Sequence, residues 1–167
     1  MNPGTESFLR LARQPFKFRM FLLYKLPAAF FSGVRINQVD ENKCIVSIPF
    51  KWLTQNPFQS AYFASLSMAA EMSTGVLAMM HIYKRKPAVS MLVTKMEANY
   101  FKKATGKTFF LCEDGEQIRN IIEATILTAE ANAIIVKSVG TNKQGEVIAD
   151  FYFTWSFKSK TLNLKPF

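Results

Sequence analysis

One acidic side chain stands out because no other charge lies near it in the sequence. Glu71 is the only formally charged residue between Lys51 and Lys84, and its neighbours are mainly Ala, Ser, Met and bulky apolar residues. Removing a carboxylate from water raises its pKa, and a raised pKa suits a general base that works near neutral pH. Glu71 is therefore the first candidate for chemistry in this chain.

Three other interpretations of Glu71 remain open at the level of the sequence. The side chain could be exposed to solvent, or it could pair with a distant cation such as Lys95 or Arg35. It could also bond backbone groups at a subunit contact. Perturbed acids cluster at functional sites only as a statistical tendency, so these structural roles are kept beside the chemical one.

Other reactive side chains are few. His81 is the only histidine and is followed closely by a basic run, so we predict no Ser-His-Asp or Cys-His site. Cys44 and Cys112 do not have CxxC spacing, which favours two buried thiols over a disulfide or a zinc site. The sequence therefore predicts neither a metal site nor a cofactor.

Composition indicates a single globular domain with an uneven charge. The chain has 167 residues, a hydrophobic fraction of 49%, 16 phenylalanines and a net charge of +9. Many phenylalanines indicate either a packed core or an apolar ligand cavity. The basic excess lies mainly in residues 1–31 and after residue 157, whereas nucleic-acid binders usually carry it as a stripe on the folded domain. We therefore do not expect a nucleic-acid partner.

The pattern of apolar residues predicts alternating strands and helices after an N-terminal arm. We predict strands over 33–40, 43–50, 88–101, 107–112, 132–141 and 146–157, and helices over 60–83 and 114–127. This order favours an α+β fold in which one antiparallel sheet wraps around a long central helix. It divides the chain into a helical arm (1–31), a domain (32–158) and a C-terminal tail (159–167) that is expected to fray.

The N-terminal arm, residues 1–31, mixes basic and bulky apolar residues. Lys25 and Pro27 break its apolar stretch, which is too short for a transmembrane span, and no signal peptide is expected, so we predict a cytoplasmic protein. Composition favours an arm that packs on the domain, and the alternative is weak contact with an anionic membrane surface. In either case we expect the arm to be separable from the chemistry.

Small residues follow one face of the predicted central helix. On a repeat of 3.6 residues, this face contains Ser60, Ala64, Ser67, Glu71, Gly75 and Ala78. Small side chains allow a sheet or a ligand to approach the helix backbone closely. The methionines around this face, Met68, Met72, Met79 and Met80, are typical core fillers.

The segment 56–75 resembles the central-helix motif of hotdog-fold acyl-CoA thioesterases. That motif starts with a polar residue, Pro and Phe, continues through His-Gly-Gly, and ends in Ala-Glu. Asn56, Pro57 and Phe58 match its start, and Ala70 and Glu71 match its end. The resemblance covers residues 33–157 and implies the hotdog fold. It is closest to an uncharacterised thioesterase-like branch of the superfamily.

The chain departs from the motif at its centre, where Tyr62, Phe63 and Ala64 replace His-Gly-Gly. In the family, the glycines let an acyl carbonyl reach backbone N–H groups at the start of the helix. Two functions therefore remain open. The chain is either an acyl-CoA thioesterase, as the Ala-Glu match implies, or a non-catalytic binder of acyl-CoA, fatty acid or lipid, as the lost His-Gly-Gly implies.

The resemblance also implies roles for individual residues. Glu71 would act as general base or nucleophile on a thioester, and Asn56 would orient the water or the carbonyl. Tyr62, in place of the histidine, would donate a hydrogen bond from its hydroxyl to the substrate or to water. Candidates for contact with the acyl substrate are Phe63, Ala64, Ser67, Met68 and Asn99, and candidates for the CoA phosphates are Lys84, Arg85, Lys86, Lys102 and Lys103. The family further implies a homodimer or a dimer of dimers, paired through the strand over 89–101.

Overall fold

The computed structural model describes residues 3–160 and shows a six-stranded sheet with five helices. Residues 161–167 of the predicted tail lie outside the described part. The helices are α1 (Pro3–Ala12), α2 (Pro15–Lys25), α3 (Pro27–Ser32), α4 (Phe63–Ile82) and α5 (Gly115–Thr128). The strands are β1 (Arg35–Val39), β2 (Cys44–Ile48), β3 (Val89–Tyr100), β4 (Thr108–Cys112), β5 (Asn132–Thr141) and β6 (Val147–Ser159). A short 3-10 helix covers Trp52–Thr54.

All neighbouring strands are antiparallel, in the order β1-β2-β4-β5-β6-β3. Because side chains alternate along a strand, each strand presents every second residue to the core. In β6 these inward residues are Phe151, Phe153, Trp155 and Phe157, all buried. The predicted fold class, an antiparallel sheet around a long central helix, is confirmed.

Helix α4 is the core helix. It is apolar on nearly all sides, as expected for a helix enclosed by other elements, and most of its residues are buried. Its length and composition would also suit a membrane span, but 61% of its most apolar window is buried inside the protein. The buried hydroxyls of Ser73 on α4 and Ser138 on β5 lie 2.8 Å apart and link the helix to the sheet.

The central helix begins later than the sequence predicts. Residues 60–62 form a loop instead of a first turn, since Ala61 N–H donates to the Ala104 carbonyl and Tyr62 N–H donates to the Thr54 carbonyl. These contacts to distant parts of the chain replace the local helical bonds. Ser60 is therefore not on the helix face where the sequence places it.

The N-terminal arm packs on the domain through one side of its helices. Prolines start α2 and α3, because proline suits the first helical position, where its missing N–H is not needed. Phe8, Leu9 and Leu22 are buried, and the Thr5 hydroxyl donates to the Met80 carbonyl on α4 at 3.1 Å. The structure therefore shows the inner side of the arm helices packed on the domain, which is the arrangement that the composition of the arm favours.

Candidate functional site

Glu71 lies in a small apolar crevice between α4 and the N-terminal arm, called here the Glu71 crevice. Its volume is about 90 Å³. The arm contributes Phe8, Phe18, Phe21 and Leu26, and α4 and β3 contribute Met72, Gly75, Val76, Met79 and Met91. Glu71 is the only charged residue in this lining, so its carboxylate faces hydrocarbon and aromatic groups.

This environment raises the pKa of Glu71 from 4.5 to about 7, and burial is the cause. Within the described residues the Glu71 carboxylate has no hydrogen-bond or ion-pair partner. Lys95, one of the cations considered as its partner, pairs instead with Glu97 at 3.0 Å. A half-buried carboxylate with this pKa is partly ionised at neutral pH, so it can accept a proton.

Gly75 leaves the space that the Glu71 carboxylate occupies. A Cβ atom at position 75 would lie 2.9 Å from Glu71 Oε1 and 3.4 Å from the ring of Trp155. Trp155 itself is held because its Nε1 donates to Thr74 Oγ1 at 2.9 Å. A side chain at position 75 would therefore meet both the Glu71 carboxylate and the ring of Trp155, and glycine leaves the carboxylate unobstructed.

A second, larger crevice lies at the start of α4 and is called here the helix-start crevice. Its volume is about 500 Å³. Five of the predicted site residues line it: Asn56, Tyr62, Phe63, Lys102 and Lys103. The end of β3 and the segment after it, including Tyr100 and Phe101, form the opposite wall.

Asn56 organises the loop that leads into α4. Its Oδ1 accepts hydrogen bonds from the backbone N–H groups of Phe58 and Ser60, at 2.9 and 3.2 Å. Its Nδ2 donates to Ser60 Oγ at 3.1 Å and to the Ala61 carbonyl at 3.4 Å. Because both ends of the amide are used within the loop, Asn56 acts here as a positioning residue for the start of α4.

The first turn of α4 offers unused hydrogen-bond donors. The backbone N–H groups of Phe63 and Ala64 have no acceptor within the described residues, as is usual for the first turn of a helix. The helix dipole also makes this end positive, so it can polarise a carbonyl oxygen. The side chains of Tyr62 and Phe63, 46% and 53% exposed, stand at the entrance.

The two crevices lie along one side of α4 but are separate. Ala64, Ser67 and Glu71 follow each other on the same helix face, and Ala64 precedes Glu71 by seven residues, roughly 10 Å along the axis. Between the crevices, the side chain of Ser67 contacts that of Tyr100 from β3. In this chain, the carboxylate and the free N–H groups do not share a crevice. The remaining candidate, Met68, is half-buried next to Ser67.

Asn99 lies on the other face of the sheet. Its Nδ2 donates to Asp150 Oδ1 at 2.9 Å. Asp150 lies on the outer face because its neighbour in β6, Phe151, faces the core. Asp150 also forms an ion pair with Lys137 at 3.1 Å. The structure therefore places Asn99 away from both crevices, although the sequence groups it with the substrate contacts.

The predicted phosphate ligands are divided between the two ends of α4. Lys84, Arg85 and Lys86 follow its last turn, roughly 30 Å from the helix start. Arg85 is already engaged in a two-bond pair with Glu123 of α5. Lys102 and Lys103 line the helix-start crevice, and Lys102 pairs with Glu146 at 2.7 Å.

The arm residues of the Glu71 crevice were not identified from the sequence, which predicts an arm separable from the chemistry. In the structure, Phe8, Phe18 and Phe21 form much of the wall around the carboxylate. Whether the arm is separable from the chemistry stays a prediction, although its phenylalanines line the crevice that contains Glu71. The inward spacing of these phenylalanines is visible in the sequence as a helix face, yet it does not indicate which part of the domain the face covers.

Comparison with solved structures shows which fold this is. A protein of unknown function from Pseudomonas aeruginosa, described as a "probable thioesterase", has a TM-score of 0.74 at 20% identity, over 87% of this chain and 97% of its own. A protein of unknown function from Chlorobaculum tepidum TLS has a TM-score of 0.73 at 19% identity, with the same two coverages. A thioesterase from Haemophilus influenzae has a TM-score of 0.65 at 10% identity, over 90% of this chain and 94% of its own.

Comparison of the sequence identifies a family for this chain but no individual curated relative. No curated protein matches the chain. The model of a family described as "Domain of unknown function (DUF4442)" matches residues 17–156, which is most of the chain. The resemblance predicted from the central-helix motif, to an uncharacterised thioesterase-like branch, is confirmed. The chain belongs to the DUF4442 family and has the hotdog fold of the thioesterases that it resembles in structure.

Proposed function

We propose that this protein hydrolyses acyl thioesters, with acyl-CoA as the substrate class and Glu71 as the essential acid. The observation that carries the proposal is the Glu71 crevice, in which one unpaired carboxylate with a pKa of about 7 faces an apolar pocket. Structures similar to this one include proteins named as thioesterases, which supports a reaction of this class.

The proposed reaction consumes one water molecule. In the general-base route, Glu71 takes a proton from water while the water oxygen bonds to the thioester carbonyl carbon. The C–S bond then breaks, and the proton on Glu71 passes to the departing thiolate, so that a carboxylic acid and a thiol are formed. In the alternative route, the Glu71 carboxylate bonds to the carbonyl carbon and the C–S bond breaks, which gives a mixed anhydride and a thiolate. Water then hydrolyses the anhydride to the carboxylic acid and the free Glu71 carboxylate, and a proton from this water is taken up by the thiolate.

The arm is proposed to hold the acyl group of the substrate. The Glu71 crevice has a volume near 90 Å³, which is small for a ligand site and suits a short or medium acyl chain better than a long one. We expect wild-type protein to hydrolyse such acyl-CoAs faster than long-chain ones. Phe21→Ala, which removes half-buried crevice wall, should favour chains longer by about two carbons roughly tenfold, because each buried methylene contributes about 0.8 kcal/mol. Steady-state kcat/KM over a series of acyl-CoA chain lengths measures this.

Phe31→Ala is the matched control, since Phe31 is an arm phenylalanine that is 57% exposed and lies outside the crevice. Its chain-length profile should equal that of the wild type. A wild-type protein without hydrolysis of any acyl-CoA in the series would contradict the thioesterase proposal. An unchanged profile in Phe21→Ala would contradict the assignment of the crevice to the acyl chain.

A non-catalytic acyl binder is the second candidate, and one observation favours it. Phe63 and Ala64 put side chains where the resembling family has glycines, and the free N–H groups there lie outside the Glu71 crevice. Tight acyl-CoA or fatty-acid binding by wild-type protein without turnover would support this role.

The cytoplasmic location predicted from the sequence is part of both proposals. Among the described residues, α4 is the only helix that is long and apolar enough to cross a membrane, and it is the core helix.

A homodimer through β3 is also proposed. β3 is an edge strand with one neighbour, β6, so the hydrogen-bonding groups on its other side are open to a second strand. Its exposed Leu92 and Met96 add apolar surface at 65% and 43% exposure. We expect light scattering to give a dimer or a dimer of dimers at micromolar concentration. A stable monomer there would contradict this assembly.

A further inference from the structure

The outward side of α2 is an exposed apolar stripe. Phe16, Met20, Leu23 and Tyr24 are spaced as one helix face and are 77%, 44%, 37% and 81% exposed. The opposite side of the same helix is buried through Phe18 and Leu22. Packing of the arm on the domain therefore uses only half of α2 and leaves large apolar side chains in water.

The elements next to α2 also carry exposed aromatic side chains. α3 packs on α2 and carries Phe31, which is 57% exposed. Lys51 Nζ donates to the Phe31 carbonyl at 2.8 Å, and the next residue, Trp52, is 79% exposed. We call the side chains of Phe16, Met20, Leu23, Tyr24, Phe31 and Trp52 the arm surface.

The stretch of sequence that contains most of the arm surface carries charge of a single sign. No Asp or Glu occurs between Glu6 and Asp40, whereas this stretch contains six Lys or Arg residues: Arg10, Arg13, Lys17, Arg19, Lys25 and Arg35. Lys17 and Lys25 are exposed beside the stripe, and Lys51 is exposed next to Trp52. A face of aromatic and aliphatic side chains with basic residues at its borders fits the interface of an anionic bilayer, where rings enter the headgroup region and cations meet phosphate.

We propose that the arm surface docks on an anionic phospholipid membrane. Docking would insert Phe16, Tyr24 and Trp52 at headgroup depth and leave the domain in water. It would also hold α2 between the bilayer and the Glu71 crevice, since Phe18 and Phe21 of the same helix line that crevice. The proposal stands on exposure and charge and does not depend on the hydrolysis of a thioester.

Vesicle flotation of the full chain tests the proposal. We expect at least about tenfold tighter binding to phosphatidylcholine vesicles that contain about 30% phosphatidylglycerol than to vesicles of phosphatidylcholine alone. Binding to the anionic vesicles should weaken at high salt. Lys17→Glu with Lys25→Glu, or Phe16→Ser with Tyr24→Ser, should each lower that affinity at least about tenfold. Controls away from the surface are Lys143→Glu and Leu127→Ser, both at exposed positions, and these should bind as wild type does.

Tryptophan fluorescence gives a second readout. Trp155 is 4% exposed and Trp52 is 79% exposed, so a blue shift on addition of anionic vesicles reports Trp52. Trp52→Phe should remove this shift. Equal binding to neutral and anionic vesicles, or arm-surface variants that bind like wild type, would overturn the proposal. It would also be overturned if Phe16→Ser with Tyr24→Ser converted a dimer into a monomer on light scattering, because the surface would then be an interface between two copies of the chain.

Discussion

Glu71→Gln is expected to lower the turnover of acyl-CoA hydrolysis at least about a hundredfold, the usual contribution of a general base. Gln keeps the size and hydrogen-bonding capacity of the side chain but accepts no proton. No other described residue in the Glu71 crevice can replace the carboxylate, because the rest of its lining is apolar. Steady-state kcat at pH 8 measures the effect, and circular dichroism checks that the fold survives.

Two further variants show whether the loss is specific to the carboxylate and its position. Glu116→Gln, at an exposed acid in the first turn of α5, should keep full turnover. Gly75→Ala should lower kcat and leave the fold intact, because the new Cβ would meet the flexible end of Glu71 at 2.9 Å and displace it. Full activity in Glu71→Gln would rule out the mechanism in both its routes.

Glu71→Gln is also expected to stabilise the fold at high pH. Burial raises the pKa of Glu71 from 4.5 to about 7, so between these values the folded chain holds a proton that the unfolded chain has lost. A raised carboxylate pKa means that stability falls as pH rises through this window. The difference corresponds to at most roughly 3 kcal/mol in the free energy of unfolding, and Gln removes this loss.

Urea unfolding of wild type and Glu71→Gln at pH 4 and pH 8 measures the difference. At pH 4 the two proteins should have similar free energies of unfolding, because Glu71 is neutral in the folded state. At pH 8 the variant should be more stable by up to about 3 kcal/mol. A stability difference that is the same at both pH values would show that the Glu71 carboxylate is not desolvated, and it would remove the physical basis for its role as a base.

The elements that build the fold could be predicted from short stretches of the sequence. The predicted strand over 132–141 coincides with β5, and the predicted helix over 114–127 differs from α5 by one residue at each end. These patterns repeat within a few residues, so neighbours in the chain are sufficient to specify them. The start of α4 was missed because distant carbonyls, those of Thr54 and Ala104, accept the N–H groups of its predicted first turn.

The site was predictable only in part. Glu71 could be chosen from the sequence because an isolated carboxylate in an apolar helix can be recognised from the order of the residues alone. Its lack of a partner was not visible, because the sequence cannot show that Lys95 pairs with Glu97 instead. Arg85 was considered for a phosphate and proves to hold Glu123 of α5, since the packing of α5 against α4 brings these two residues together.

The order of the strands and long helices, and Glu71 as the one acidic residue of the central helix, could be predicted from the sequence, and the resemblance of the central-helix motif added the hotdog fold. What surrounds Glu71 depends on the tertiary structure. It placed Phe18 and Phe21 of the arm against Glu71, put the helix-start amides in a different crevice, and turned Asn99 to the outer face of the sheet. The physical reason is that periodicity specifies which face of an element is apolar, whereas the partner of that face depends on how elements far apart in the chain pack together.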